Sequence, residues 1–141
     1  MELELPEDVV ALRNTIRDFC EKHVKDQARG WDHSEQFPAE VVRELGHLGA
    51  LGIRVAPEFD GAGMGSLAVA VAVEEVAKYD GSLALTVASH NGLGTSHIRV
   101  FGNDAQRQKY LPRLAKGEIL GAWGLTEAGS GSDASAMKTT A

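Results

Sequence analysis

Trp123-Gly124-Leu125-Thr126-Glu127-Ala128-Gly129-Ser130-Gly131-Ser132-Asp133 is the stretch that decides how this chain is read. It opens as a candidate strand, because Ala122 to Thr126 carries a bulky aromatic and a β-branched residue. It then breaks into Gly, Ser and Asp. Glycines let a backbone approach a flat or charged ligand closely, and the hydroxyls of Thr126, Ser130 and Ser132 both donate and accept. Loop amides not used by a sheet suit phosphate oxygens or a polar ring edge. A plain β-turn with a glycine hinge fits the same composition, so both readings stand at this point. No GxxxxGK[ST] is present, which excludes a P-loop.

Upstream of this stretch the periodicity is helical. Val9, Leu12, Ile16, Phe19 and His23 recur at helical spacing behind Pro6, Glu7 and Asp8, predicting an amphipathic helix to about Ala28. Gly30 ends it, and Trp31 to Phe37 reads as a connector. Pro38 opens a second helix with Val41, Leu45 and Leu48 as its apolar stripe. Gly52 to Pro57 is short and extended, and Glu58 to Gly65 is a glycine-rich loop. Its Gly61-x-Gly63-x-Gly65 lacks a preceding strand and a βαβ unit, so it reads as a turn, not a dinucleotide fingerprint.

Ser66 caps a helix whose alanines and Glu74-Glu75-Val76-Ala77-Lys78 outweigh the strand-like alternation of Leu67 to Val73. Asp80 caps the next, from about Ser82 to Val100, which is rich in small residues. Asn103 with Gln106 predicts a capping box, and Pro112 predicts a break in the helix that follows. Beyond Lys116-Gly117-Glu118 the character shifts to strand and glycine. A boundary there divides the chain into a helical unit, 1–118, and the start of a β unit, 119–141.

The chain has 141 residues, enough for one domain with a real core. Its net charge of −6 argues against nucleic acid as the main partner. Cys20 is alone, so neither an internal disulfide nor a Cys/His zinc site is available. The start, Met1 to Pro6, is acidic and lacks the apolar core of a signal peptide. No apolar run approaches the roughly 20 residues of a membrane span.

Few side chains form a chemical constellation. His90 and His97 are seven apart on one helix face without a third ligand, so they read as polar surface or packed histidines, not metal ligands. His23, His33 and His47 form no group. Glu74-Glu75 reads as a solvated face, and Glu127 and Asp133 as turn-forming carboxylates. No Ser-His-Asp or Cys-His arrangement is present. Trp123 offers a broad face to a flat ring or to a core.

Leu125-Thr126-Glu127 followed by Gly131-Ser132-Asp133 resembles the L-T-E-P-x-x-G-S-D signature of the acyl-CoA dehydrogenases. Gly52-Ile53-Arg54-Val55 through Pro57-Glu58 to Gly61-Ala62-Gly63-Met64-Gly65, and Gln106-Arg107-Gln108-Lys109-Tyr110-Leu111-Pro112, are similar to the same family in the same order. One departure is Ala128, where the family has Pro; without a fixed φ the turn should be looser.

The resemblance implies a mainly α fold: the family's N-terminal orthogonal helical bundle, followed by the first strand or strands of a β-barrel-like middle domain. It implies FAD as cofactor, with Trp123, Leu125, Thr126, Gly131 and Ser132 facing it. It implies an acyl-CoA thioester held by Ser132 and, along the acyl chain, by Leu85, Thr86 and Ser89. The implied reaction is α,β-desaturation, with electrons passed to an electron transfer flavoprotein. An acyl-CoA oxidase or nitroalkane oxidase shares the scaffold, and a non-catalytic helical assembly module is the alternative from another class. The family's catalytic Glu is expected beyond residue 141, so the chain resembles an N-terminal fragment, inactive alone, of a protein that assembles as a homo-oligomer, a tetramer. Its expected location is the cytoplasm, or the mitochondrial matrix in a eukaryote.

Overall fold

The structure, a computed structural model, describes residues 4–140. The first three residues of the acidic start, and the end at Ala141, lie outside the described residues.

Seven α-helices carry the fold: α1 (Glu7–His23), α2 (Ala28–Ser34), α3 (Ala39–His47), α4 (Ser66–Ala77), α5 (Gly81–Ser89), α6 (Thr95–Phe101) and α7 (Asp104–Ala115). The mainly α expectation holds. In α1 the acidic residues Glu7 and Asp8 sit in the first turn, and Val9, Ile16 and Cys20 are buried. That helix ends at His23 and not near Ala28. Val24 is fully buried, and the chain turns around it into α2, so Gly30 lies within a helix that the sequence reading made a connector. Glu35, in the left-handed region at φ 54°, ends α2.

The main core joins α1, α3, α4 and α5 through Ile16, Leu45, Leu51, Val76, Leu83 and Val87. Helices α1 and α5 both pack against α4. A smaller cluster of Val55, Leu111 and Ala115 seats α7. At Gly46 a Cβ would lie 2.5 Å from the Lys116 carbonyl oxygen, so only glycine lets α3 meet the end of α7 this closely.

Glu75 corrects the solvated-face reading of Glu74-Glu75. Its side chain is 2% exposed, and Arg17 of α1 grips it with Nη2 at 2.8 Å and Nε at 3.1 Å. Lys78 adds a third bond at 2.8 Å. The Arg17 guanidinium, aided by Lys78, overrides burial and holds the Glu75 carboxyl down to about 2. The Cys20 thiol, pushed up to about 11 by burial, stays protonated and inert.

Two predicted caps form as read. Asp80 Oδ1 accepts from Leu83 N at 2.6 Å, and Asn103 and Gln106 make a reciprocal capping box at 2.9 Å each. The predicted break at Pro112 does not occur: α7 runs through it. The buried Leu111 and Leu114 hold the turns on either side, and Lys116 N still reaches the Pro112 carbonyl at 3.2 Å. Between α5 and α6 the predicted continuous helix is interrupted by a π turn, His90–Gly94.

The strand expectation is not borne out. Among the described residues no strand forms. Residues 121–126 have no ladder partner, and only an isolated antiparallel bridge, Glu127 to Ser130, closes the turn that follows. Strand-forming composition needs a neighbouring strand to pair with, and none lies alongside among the described residues.

Candidate functional site

Helix α5 presents three of the expected residues to one cleft. Leu85 is 67% exposed, while Thr86 and Ser89 are half-buried. Thr86 is held upright by its hydroxyl, which donates to the Ser82 carbonyl at 3.1 Å. Together with His90 they form one wall of a cleft of about 370 Å³; Leu120, Gly121 and Ala122 form the other, and Phe37 and Ser82 complete it. The wall is mostly apolar and holds no Asp or Glu. Such a surface accepts a hydrocarbon and offers it a few hydroxyls. A larger concavity of about 700 Å³ shares Phe37 and Ser82 but runs toward Arg29, Asp32 and Glu35, away from the Trp123–Ser132 loop. Its mixed charges and its distance from the loop make the smaller cleft the functional candidate.

His90 joins the two walls. It is 1% exposed. Its Nδ1 accepts from the Gly121 amide at 3.1 Å, because an N–H can only donate. The opposite nitrogen, Nε2, therefore carries the proton and donates to the Leu114 carbonyl at 3.0 Å. Burial lowers the pKa of this neutral imidazole, against a smaller upward pull from the Leu114 carbonyl. Asn91 follows it into the interior, 1% exposed. Its Nδ2 donates to the Ala50 carbonyl at 2.8 Å and to Val87 at 3.0 Å. By competing for Val87, the side-chain amide helps open the helix into the π turn.

Beyond the cleft, the loop lies open on one side. Trp123 is 45% exposed, its ring leaning on His97 at 4.3 Å between centroids. Thr126 and Ser132 are exposed; Leu125 and Gly131 are half-buried. Among the described residues the amides of Trp123 to Thr126 have no backbone or side-chain acceptor. No atom lies within 4 Å of where a Cβ would stand on Gly124, Gly129 or Gly131. A broad aromatic face, free amides and unobstructed glycines fit one edge of a flat, polar-rimmed ring such as a flavin.

Glu127 and Asp133 are spent on the turn, as their expected role requires. Glu127 exchanges backbone bonds with Ser130 at 2.8 and 3.3 Å. Its carboxylate accepts from the amides of Lys138 at 2.9 Å and Thr139 at 3.0 Å and from the Thr139 hydroxyl. The Thr139 hydroxyl and those amides hold its pKa below the usual carboxylate range. Ser130, 7% exposed, donates to the Asp133 carbonyl at 2.9 Å. These bonds fix the turn at Ala128, where Pro's missing constraint predicted looseness.

The structure thus places Leu85, Thr86 and Ser89 in one cleft and Trp123, Leu125, Thr126, Gly131 and Ser132 on the adjoining loop. Sequence reasoning missed the joining role of His90 and the place of Phe37. No spacing signals either, since each depends on contacts to distant segments. Among the described residues no His, Cys, Asp or Glu cluster could hold a metal.

Comparison with known proteins agrees with this geometry. Residues 6–118 match the family described as "Acyl-CoA dehydrogenase, N-terminal domain". The chain is 40% identical over 141 residues to the short-chain specific acyl-CoA dehydrogenase of Clostridium acetobutylicum, covering all of this chain and 37% of that protein. It superposes on butyryl-CoA dehydrogenase from Megasphaera elsdenii with a TM-score of 0.91 at 34% identity, covering 99% of this chain and 37% of that one. A chain of a structure described as the electron transferring flavoprotein of Acidaminococcus fermentans matches with a TM-score of 0.94 at 34% identity, with the same coverage. The chain therefore spans little more than a third of the length of these relatives.

Proposed function

This chain belongs to the acyl-CoA dehydrogenase family, and from that premise we propose that it forms the acyl-binding, flavin-facing part of an FAD-dependent enzyme that desaturates an acyl-CoA thioester. The observation that carries the reading is the junction of cleft and loop. The α5 wall faces Leu120 to Ala122, and that segment runs directly into the open edge at Trp123. A hydrocarbon lying along Leu85, Thr86 and Ser89 would have its head end beside that edge.

Residues 1–118 are proposed as the helical unit and 119–141 as the opening of the next. FAD, when bound, supplies the hydride-accepting ring. Trp123, Leu125 and Thr126 orient it, and Gly131 and Ser132 meet its outer rim and the thioester arm. The α-proton has to be taken by a general base within hydrogen-bond reach. The cleft offers no carboxylate, and Glu127 is tied into its turn. The base is therefore supplied from elsewhere in the whole protein, and this chain alone is inactive. Reducing equivalents pass to an electron transfer flavoprotein, and the whole protein assembles as a homo-oligomer, a tetramer. No described helix is long and apolar enough to cross a membrane; the proposed location is the cytoplasm, or the matrix in a mitochondrial setting.

The test uses the full-length protein, a panel of acyl-CoAs and an artificial electron acceptor. Acceptor reduction with a yellow, flavin-bearing protein is expected. A colourless protein that reduces no acceptor refutes the reading, and peroxide formation assigns the oxidase chemistry instead.

A further inference from the structure

We propose that His90 is a positioning residue: it fixes Gly121, and through it the segment Trp123 to Thr126, at a set height against the α5 wall of the cleft. Three observations converge. His90 is 1% exposed, yet both ring nitrogens are satisfied by backbone from two other segments, Leu114 at 3.0 Å and Gly121 at 3.1 Å. The Gly121 bond is the one hydrogen bond between residues 120–126 and the helices among the described residues. The π turn starts at His90, and Gly94 at its end packs on Gly121, where a Cβ would lie 2.6 Å from the Gly121 Cα. The extended segment is thus pinned at one residue from two sides and unpaired on the rest of its length.

A segment held at one point swings about that point. Losing the bond frees the Gly121 amide and lets Trp123 and the following amides shift relative to Leu85, Thr86 and Ser89. A misplacement of this kind, remote from the reacting atoms, lowers rate through geometry. The functional consequence rests on the flavoenzyme reading above; the contact itself does not.

Amide exchange on the 141-residue chain tests the contact. The Gly121 amide should be protected while its neighbour at Gly124 exchanges freely. His90→Phe, which keeps a ring but no acceptor, should speed Gly121 exchange by about tenfold, the worth of one buried hydrogen bond. His90→Gln carries a donor and an acceptor on one carbon and should restore protection to within about threefold. A wild-type Gly121 amide exchanging as fast as that of Gly124 overturns the proposal without any variant needing to fold.

In the full-length holoenzyme, His90→Phe should shift the flavin absorption bands and lower kcat more than it raises KM, and His90→Gln should recover both. Unchanged bands and kcat in His90→Phe overturn the positioning role. A wild-type protein that binds no flavin overturns the flavoenzyme reading instead, and the exchange result still decides the contact.

Discussion

Gly94 and Gly121 cross backbone to backbone: a Cβ built on Gly94 would lie 2.6 Å from the Gly121 Cα, and one built on Gly121 would lie 2.8 Å from the Gly94 Cα. Neither atom belongs to a flexible side chain, so neither can yield cheaply. Gly94→Ala or Gly121→Ala should each cost about 1–3 kcal/mol, the range for overpacking. Gly30, inside α2 with no atom within 4 Å of its Cβ position, is the control. Gly30→Ala should be stabilising by about 0.5–1 kcal/mol. Denaturant melts of the three variants decide it; equal effects at Gly30 and Gly121 would contradict the contact.

The Arg17–Glu75 pair predicts an acid limb of stability. The folded Glu75 carboxyl lies at about 2 against an ordinary 4.5. Its contribution is fully present above 4.5 and is lost as pH falls through the folded value near 2. Arg17→Met should raise the Glu75 titration toward the ordinary range. It leaves a buried carboxylate with only Lys78, at a cost of about 3 kcal/mol. Adding Glu75→Leu should recover most of that loss, and a double-mutant cycle with no coupling would refute the pair.

His90 predicts a second window at milder pH. Its folded pKa is lowered from 6.5 by burial, so the unfolded chain binds the proton first. The stability it contributes is complete above 6.5 and falls away as pH drops through the lowered folded value. Wild-type stability relative to His90→Gln should therefore decline below 6.5 and be flat above it. An increase below 6.5 would mean that the imidazole is charged in the fold.

Glu127→Ala should release Lys138 and Thr139, whose amides it holds at 2.9 and 3.0 Å. Faster exchange at those two amides with unchanged helical circular dichroism is expected. Unaltered exchange would show that the tail is held by other contacts.

The 141-residue chain should not retain FAD tightly. Good cofactor sites bury roughly 70–90% of their ligand, and the Trp123 loop offers one open edge. Flavin fluorescence titration tests this, and submicromolar binding would refute it. In the full-length protein, Trp123→Ala should lower flavin retained per protein through gel filtration.

Local chemistry was legible in the sequence; long-range contact was not. The Asp80 cap and the Asn103–Gln106 box depend on residues three apart, and both form as read. Leu85, Thr86 and Ser89 were placed by resemblance and do share a cleft. Glu75 read as solvated because its partner Arg17 stands on another helix. Pro112 read as a break because the buried Leu111 and Leu114 that hold its helix together reveal themselves only in the packing. Ala122 to Thr126 has strand composition but no partner beside it among the described residues, and composition cannot supply one.

The π turn at His90–Gly94 also changes the rotational phase of everything after it. Val87, Asn91 and Thr95 are all buried, four apart each time. On a regular α-helix that spacing drifts by about 40° per step; the wider turn takes up the drift. Deleting Gly92 would convert the segment to plain α-helix and rotate α6 by about 100° relative to α5. Thr95 would leave the interior, and His97 would no longer lie under Trp123. A length change of one residue there re-aims a whole helix, whereas the exposed turn at Ala128–Gly129 can absorb the same change locally.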